Sequence, residues 1–227
     1  MNRDNNYRHE LKYRISYLDY LSIRSRLRAV MQADPHARNG TYLVRSVYFD
    51  NVYDKALREK TDGIGKREKF RIRYYNDDLS YITLEKKMKI GRLCLKCDES
   101  ITESEFRRIL DGDIEWMKDS PSELVKELYA KMRYQGLKPR VRVSYVREPY
   151  IYKAGNVRVT FDSQIRTSMN HNDFINADDI SATEYSHEML MEVKYDAFIP
   201  RVIQDMIQMS GGGQEAFSKY GTCRRYG

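Results

Sequence analysis

The run Lys69-Phe70-Arg71-Ile72-Arg73-Tyr74-Tyr75 alternates basic and apolar side chains with a period of two. An extended strand turns such alternation into two distinct faces. Lys69, Arg71 and Arg73 then share one face, and Phe70, Ile72 and Tyr74 the other. Three like charges on one face repel each other, and like charges opposite them on a neighbouring strand add to the repulsion. Carboxylates or a bound anion would relieve it. The next strand-like run, Tyr81 to Met88, offers Glu85 and Lys87 on one face, so one carboxylate answers several cations. The ordinary alternative is a solvated sheet face with scattered Lys and Arg, and recurrence of the pattern along the chain weighs against it. With no partner for this face visible in sequence, Arg71→Ala or Arg73→Ala is expected to lower turnover, leave the fold intact and even raise Tm.

Charged residues make up 32% of the 227-residue chain and the net charge is +7, which favours anionic partners such as polyphosphates, nucleotides, nucleic acid or an acidic membrane surface. No apolar run approaches 18 residues, so no membrane span is expected. The cysteines, Cys94, Cys97 and Cys223, are few and odd in number, which fits a reducing cytoplasm. One CxxC lacks the second pair that a structural zinc site needs. The 19 tyrosines suit half-buried strands.

In chain order, a strand is expected over Tyr7 to Tyr13 and a helix from a Ser16 cap to about Met31. A strand over Thr41 to Asp50, a short helix over Val52 to Lys60 and the two alternating strands follow. Arg92 to Cys97 is another alternating strand, with Arg92 and Lys96 on one face. Two helices follow, one opened by Thr102-Glu103-Ser104-Glu105 and one by Ser120-Pro121-Ser122-Glu123. Strands resume over Arg140 to Tyr150, Val157 to Asp162 and Glu188 to Tyr195. A polar loop precedes the last of these. A helix over Phe198 to Met209, the linker Gly211-Gly212-Gly213 and a helical turn near Ala216 to Tyr220 complete the chain. The pattern predicts one α+β domain over residues 1–227, with a mostly antiparallel sheet of about eight strands, enough to curl or close. Whether the charged faces converge inward or point to solvent does not follow from composition.

The motifs Glu10-Leu11-Lys12-Tyr13, Tyr48-Phe49-Asp50, Phe70-Arg71-Ile72-Arg73-Tyr74-Tyr75, Leu84-Glu85-Lys86-Lys87, Pro139-Arg140-Val141-Arg142, Tyr145-Val146-Arg147, Val157-Arg158-Val159-Thr160-Phe161-Asp162, Glu192-Val193-Lys194-Tyr195 and Phe217-Ser218-Lys219-Tyr220 occur in this order over about residues 7 to 221. Together they resemble the polyphosphate polymerase (VTC) domain of the CYTH-like triphosphate tunnel metalloenzymes. The resemblance implies a closed tunnel of eight antiparallel strands with a charged interior. The implied chemistry is transfer of the terminal phosphoryl of ATP onto a polyphosphate chain, helped by Mn2+ or Mg2+. Relatives hydrolyse triphosphates instead. Lys12, Arg71, Arg73, Lys87, Lys96, Arg147, Arg158 and Lys219 are implied to hold phosphates and Glu192 the metal.

Lys69 and Lys194 join the phosphate-binding candidates from the same strands. Parity adds Arg142, which shares a face with Arg140, whereas the family pattern marks Arg147; both are retained. Glu10 and Glu85 join Glu192 as metal candidates, because each lies in a strand beside basic residues and divalent Mg2+ or Mn2+ prefers carboxylate oxygens. Arg71, Arg73 and Lys219 are the catalytic candidates. Lys219, after three glycines, is expected to swing over a tunnel mouth and to contribute little to stability. Arginine grips phosphate in bidentate fashion and lysine acts as a point charge. Phosphoryl transfer needs positioning and charge stabilisation more than a nucleophilic side chain, in keeping with the absence of any Ser-His-Asp arrangement. The rivals are a tunnel-fold triphosphatase and a non-catalytic polyphosphate- or nucleic-acid-binding module. Nucleic acid is disfavoured, because the cations alternate within strands and form no stripe interleaved with exposed aromatics.

Overall fold

The computed structural model describes residues 8–91, 93–169, 174–175, 181–182, 189–209 and 217–226. Among them, ten strands form one antiparallel sheet. They are β1 (His9–Ile15), β2 (Gln32–Ala33), β3 (Tyr42–Asp50), β4 (Lys66–Tyr75), β5 (Asp78–Ile90), β6 (Leu93–Ile101), β7 (Lys138–Tyr152), β8 (Val157–Ser168), β9 (Ser181–Ala182) and β10 (Met189–Tyr195). The helices are α1 (Tyr17–Val30), α2 (Lys55–Thr61), α3 (Glu103–Asp111), α4 (Glu123–Gln135), α5 (Arg201–Met206) and α6 (Lys219–Tyr226). The main path runs β1-β10-β8-β7-β3-β4-β5-β6, with β2 added to β7 and β9 to β8. The α+β class and the antiparallel sheet match the sequence pattern. Tyr7, Arg92, Glu188, Gly211-Gly212-Gly213, Ala216 and most of the polar loop before β10 lie outside the described residues.

The sheet curls until its two edge strands approach each other. Arg8, just before β1, forms an isolated antiparallel bridge with Cys94 of β6, its N–H donating to the Cys94 carbonyl at 3.3 Å. No ladder joins β1 to β6 among the described residues. The expected closed eight-stranded tunnel is corrected to that extent: the edges meet through this bridge and through Glu10 of β1, which pairs with Lys87 of β5 and lies 3.9 Å from the Cys94 sulfur. Side chains, more than backbone hydrogen bonds, hold the seam.

The apolar strand faces point outward under helices. Phe70, Ile72 and Tyr74 of β4 join Ile82 and Leu84 of β5, Phe106 and Ile109 of α3, and Val125 and Leu128 of α4 in one core. Val159 and Phe161 of β8 and Met191 and Val193 of β10 join Ile23 and Leu27 of α1 and Ile203 of α5 in a second. Fully burying one such side chain stabilises the fold by about 1.5–3 kcal/mol. The period of two then turns the basic faces inward. Local signals set the helix starts. Ser16 accepts the N–H of Asp19 at 3.0 Å, and Thr102 with Glu105 forms a reciprocal capping box.

A third core fills one end of the interior. Val44, Val141, Val143, Ile165 and Leu190 pack there with Tyr220 and Cys223 of α6. α6 starts at Lys219 and runs to Tyr226, later and longer than the turn expected from the sequence. Burial in this apolar plug pushes the Cys223 thiol up to about 12.

Candidate active site

The interior that remains open is a cavity of about 440 Å³. Eleven cationic side chains line it against three carboxylates: Lys12, Lys60, Arg67, Lys69, Arg71, Arg73, Lys87, Lys89, Arg147, Lys194 and Lys219, facing Glu10, Glu68 and Glu192. They come from β1, β4, β5, β7, β10, α2 and α6, elements far apart in the chain that the curled sheet brings together.

On the β4–β5 wall, Arg71 and Glu85 are register partners. The Arg71 Nε donates to Glu85 Oε2 at 2.5 Å and its Nη1 to the Tyr48 hydroxyl at 2.9 Å. Arg73 donates to Ser46 Oγ at 3.2 Å and to the Tyr145 hydroxyl at 3.3 Å. Burial disfavours the Glu85 carboxylate, but Arg71, Arg73 and Lys96 outweigh it and hold the group far below the usual carboxylate range. Burial also works against a charged Tyr48, yet Arg71, Lys69 and Arg73 bring the phenol down to about 7. Lys69 stands 5.6 Å from the centre of the Tyr48 ring and makes no ion pair with a described residue. Burial, together with Lys87 and Arg71, lowers Lys69 to about 8.

On the opposite wall, β1 and β10 interleave charges. Lys12 Nζ lies 3.5 Å from both Glu10 and Glu192. Lys194 lies 3.5 Å from Glu192 and 4.0 Å from Glu10. Burial opposes ionisation of Glu10, but Lys12, Lys87 and Lys194 hold it well below the carboxylate range. Burial pushes Lys12 and Lys194 well below the usual lysine range, and Glu10 only partly offsets this.

Between the walls sits a buried triad. Arg147 grips Asp162 in bidentate fashion at 2.6 and 2.7 Å and reaches Glu192 at 3.4 Å. Lys219 pairs with the same Asp162 at 2.6 Å and stands 4.7 Å from the centre of the Tyr145 ring. Asp162 is wholly buried, and Arg147 and Lys219 keep it ionised against that burial. Lys219 is therefore anchored, contrary to the expected loose lysine. Asp50 fixes the neighbouring residue: its carboxylate accepts the N–H groups of Ala56 and Leu57 in α2 and the hydroxyl of Tyr220.

The cavity thus brings together Lys12, Lys69, Arg71, Arg73, Lys87, Arg147, Lys194, Lys219, Glu10 and Glu192. Other candidates fall elsewhere. Arg142 is buried on the outer face of β7, next to Tyr74, because parity places it opposite Val141, Val143 and Arg147. The bulge near Ser144 is absorbed on β8, where Gln164 has φ +52°, and leaves β7 in phase. Arg158 spends its guanidinium on Asp34 at 2.7 Å and Tyr42 at 2.6 Å and does not line the cavity. Lys96 is half-exposed and pairs with Glu85 at 3.1 Å. The Glu85 oxygens are committed to Arg71, Arg73 and Lys96, so it offers no open ligand position. The Arg71 and Arg73 expectation is corrected too: both have partners, and removing Arg71 strips a buried carboxylate of its closest cation.

Sequence reasoning passed over Tyr48 and Tyr145 as arginine acceptors, and Lys60, Arg67 and Lys89 as lining cations. Extending the period of two outward from Lys69 and Lys87 reaches Arg67 and Lys89; no comparable signal marks Lys60.

The site is thus a cation-rich interior of a curled antiparallel sheet, an arrangement that attracts anionic ligands. The family model of the VTC domain matches residues 7–226, and the chain belongs to the VTC domain family. No curated protein matches it. Among solved structures it is similar to a Bacillus halodurans protein provisionally described as an adenylate cyclase, with 15% identity, 88% of this chain and 86% of that one covered, and a TM-score of 0.49. A conserved hypothetical protein from Pyrococcus furiosus has 13% identity, covers 88% and 85%, and gives 0.45. The Mimivirus capping enzyme triphosphatase has 9% identity, covers 90% and 91%, and gives 0.42. Among the described residues no helix is long and apolar enough to cross a membrane.

Proposed function

We propose that the cavity binds ATP or another triphosphate and transfers its terminal phosphoryl group to an inorganic polyphosphate chain. The observation that carries the reading is the eleven-to-three excess of cations over carboxylates around a 440 Å³ cavity. Membership of the VTC domain family supports it. Arg71 and Arg73 already point donors at the side-chain oxygens of Tyr48 and Tyr145, and exchange them for phosphate oxygens when the anion enters. Arg147 and Lys219, held by Asp162, stabilise charge on the transferred group without moving, which is where a loose phosphoryl-transfer transition state gains most. The site needs no nucleophilic side chain.

No cluster of three or more metal-type ligands occurs among the described residues. Glu192, whose cation partners stand no nearer than 3.4 Å, and Glu10 Oε1, whose partners stand 3.5 and 4.0 Å away, are held less tightly than Glu85 and fit a divalent ion of the Mg2+ or Mn2+ kind, which binds through one or two carboxylates plus substrate phosphates and retains water. Glu85 does not fit. When bound, the ion neutralises charge on the phosphoryl oxygens. Lys12 and Lys194 stand beside both carboxylates and help hold Glu10 charged.

The test is incubation with ATP and Mn2+, followed by a gel stained for polyphosphate and a parallel assay of released phosphate. Long polyphosphate supports the polymerase. Phosphate release without polymer reassigns the site as a triphosphatase. DNA binding with steep salt dependence and no turnover reassigns it as a binding module.

A further inference from the structure

Strands of an antiparallel sheet turn back at alternate ends. The registers set Ile15 beside Met189, Ser168 beside Arg142, Asp50 beside Lys138 and Lys66 beside Ile90. The last residues of β1, β3, β5 and β8 and the first of β4, β7 and β10 therefore share one end of the curled sheet. Eight of the eleven exposed large hydrophobic side chains among the described residues sit in or beside the connections of that end. Tyr17 and Leu18 open α1 after β1, and Val52 and Tyr53 follow β3. Ile64 precedes β4, Ile90 ends β5, Tyr134 lies near the end of α4 just before β7, and Met169 follows β8. Exposed hydrophobics scattered singly are ordinary, whereas their concentration in one region marks an interaction surface. Leu18 and Tyr53 are 77% and 70% exposed. The turn that carries Val52 and Tyr53 is nevertheless ordered. Asp50 accepts the N–H of Asn51 at 2.9 Å, and Asn51 Oδ1 accepts those of Tyr53 and Lys55, each at 3.1 Å.

The same end is basic. Lys55, Arg58, Lys66, Lys138 and Arg166 are exposed there, and the last four make no ion pair with a described residue. Asp50 is buried, Asp54 pairs with Arg224 at 3.0 Å and Glu59 with Lys55 at 3.8 Å. Asp62 is left as the exposed carboxylate of these connections among the described residues. The turns of the opposite end instead mix Asp77, Asp78, Glu103 and Asp196 with Arg8 and Lys153. None of the apolar and basic residues named for the first end lines the cavity, so this surface is separate from the site.

We propose that this end of the sheet docks on the surface of an anionic phospholipid bilayer. Its apolar side chains insert among the headgroups, and its cations meet the lipid phosphates. Tyrosine suits that depth, because its ring is apolar and its hydroxyl stays hydrated. The charge selects the partner. A second copy of the chain would set cations against cations. The layout selects it too. The apolar residues come singly or in pairs from separate connections and are interleaved with charge. A protein partner needs one contiguous apolar core, whereas a flat anionic surface meets all of them at once. The proposal does not depend on what the cavity binds.

The test is vesicle co-sedimentation at fixed ionic strength, with phosphatidylcholine alone and with phosphatidylcholine mixed with phosphatidylglycerol. The proteins are the wild type, Val52→Ser with Tyr53→Ser, Lys138→Gln with Arg166→Gln, and Phe198→Ser at the opposite end as the control. Thermal melting checks that each is folded, and Tyr53→Ser alone carries the apolar arm if the double variant does not fold. The wild type is expected to bind the anionic vesicles and not the neutral ones. Each double variant is expected to lose about tenfold in vesicle affinity and Phe198→Ser less than about twofold, with calorimetric tripolyphosphate affinity kept within about twofold throughout. Vesicle binding that tripolyphosphate displaces at constant ionic strength would assign it to the cations of the cavity and overturn the docking surface. Equal binding to neutral vesicles, no binding to either kind, or equal losses in Phe198→Ser and the double variants overturns it as well. A concentration-dependent dimer that the double variants dissolve, without vesicle binding, would give this end to a second copy instead.

Discussion

The two sides of the cavity solve the same electrostatic problem differently. On the β1–β10–β8 side every cation in the cavity has a carboxylate within reach: Lys12 and Lys194 with Glu10 and Glu192, Arg147 and Lys219 with Asp162. On the outer β4–β5 side Lys69, Lys89 and Lys60 have none among the described residues. The first side is pre-organised, and its charges support the fold. The second is left frustrated, and its charges await an anion. A buried pair is costly to break, whereas repelling cations are costly to keep.

The strongest test of this contrast is Arg147→Ala. It leaves Asp162 buried with Lys219 as its remaining partner, and stability is expected to fall by about 3–5 kcal/mol in urea unfolding. The matched change on the other side, Lys69→Ala, is expected to leave Tm unchanged or slightly higher. If both variants melted alike, the contrast would not hold. Next in size is Lys219→Ala. Turnover of ATP is expected to drop about 10²-fold while calorimetric triphosphate affinity falls far less, because the strand arginines remain. Wild-type turnover would remove Lys219 from the mechanism.

Glu192→Gln keeps shape and removes one carboxylate from the pre-organised side. Metal affinity is expected to fall about tenfold or more, with turnover partly recovered at higher Mn2+. An unchanged Mn2+ titration reassigns Glu192 to its pairs with Lys12 and Lys194.

The smallest effect is a pH dependence with opposite signs for ligand and fold. Lys69 is lowered to about 8 from its ordinary value near 10.5. Between those values the unfolded chain binds more protons at this position than the folded one, so Lys69 makes the empty protein more stable as pH rises through the window. A bound polyanion needs the charged lysine, so polyphosphate affinity weakens over the same rise. Calorimetry from pH 7 to 9.5 is expected to show a few-fold loss that Lys69→Arg reduces, since arginine stays charged throughout, while the part near pH 7 that belongs to the Tyr48 phenol remains. A loss equally steep in Lys69→Arg would assign it to another group.

Lys12, Lys69, Arg71, Arg73 and Lys87 were legible in the sequence because side-chain parity along a strand is a local property, and a period of two marks a face wherever the strand is regular. The α+β class, the helix starts at Ser16 and Thr102, and the family motifs were local in the same sense. Parity alone could not say which face looks inward. That was decided by the helices: α1, α3, α4 and α5 cover the apolar faces, which leaves the charged ones to converge. Nor could parity pair residues distant in the chain. Asp162 meets Arg147 and Lys219, and Tyr48 meets Arg71, only because the sheet curls and α6 plugs one end. Arg142 and Arg147 look equivalent as basic strand residues, yet an odd number of positions separates them on a stretch of β7 that keeps its phase, and one is an outer-face residue while the other lines the cavity. Sequence determined which side chains share a strand face. Tertiary structure alone decided which of their charges are answered, because that depends on distances between strands that the chain brings together only when it folds.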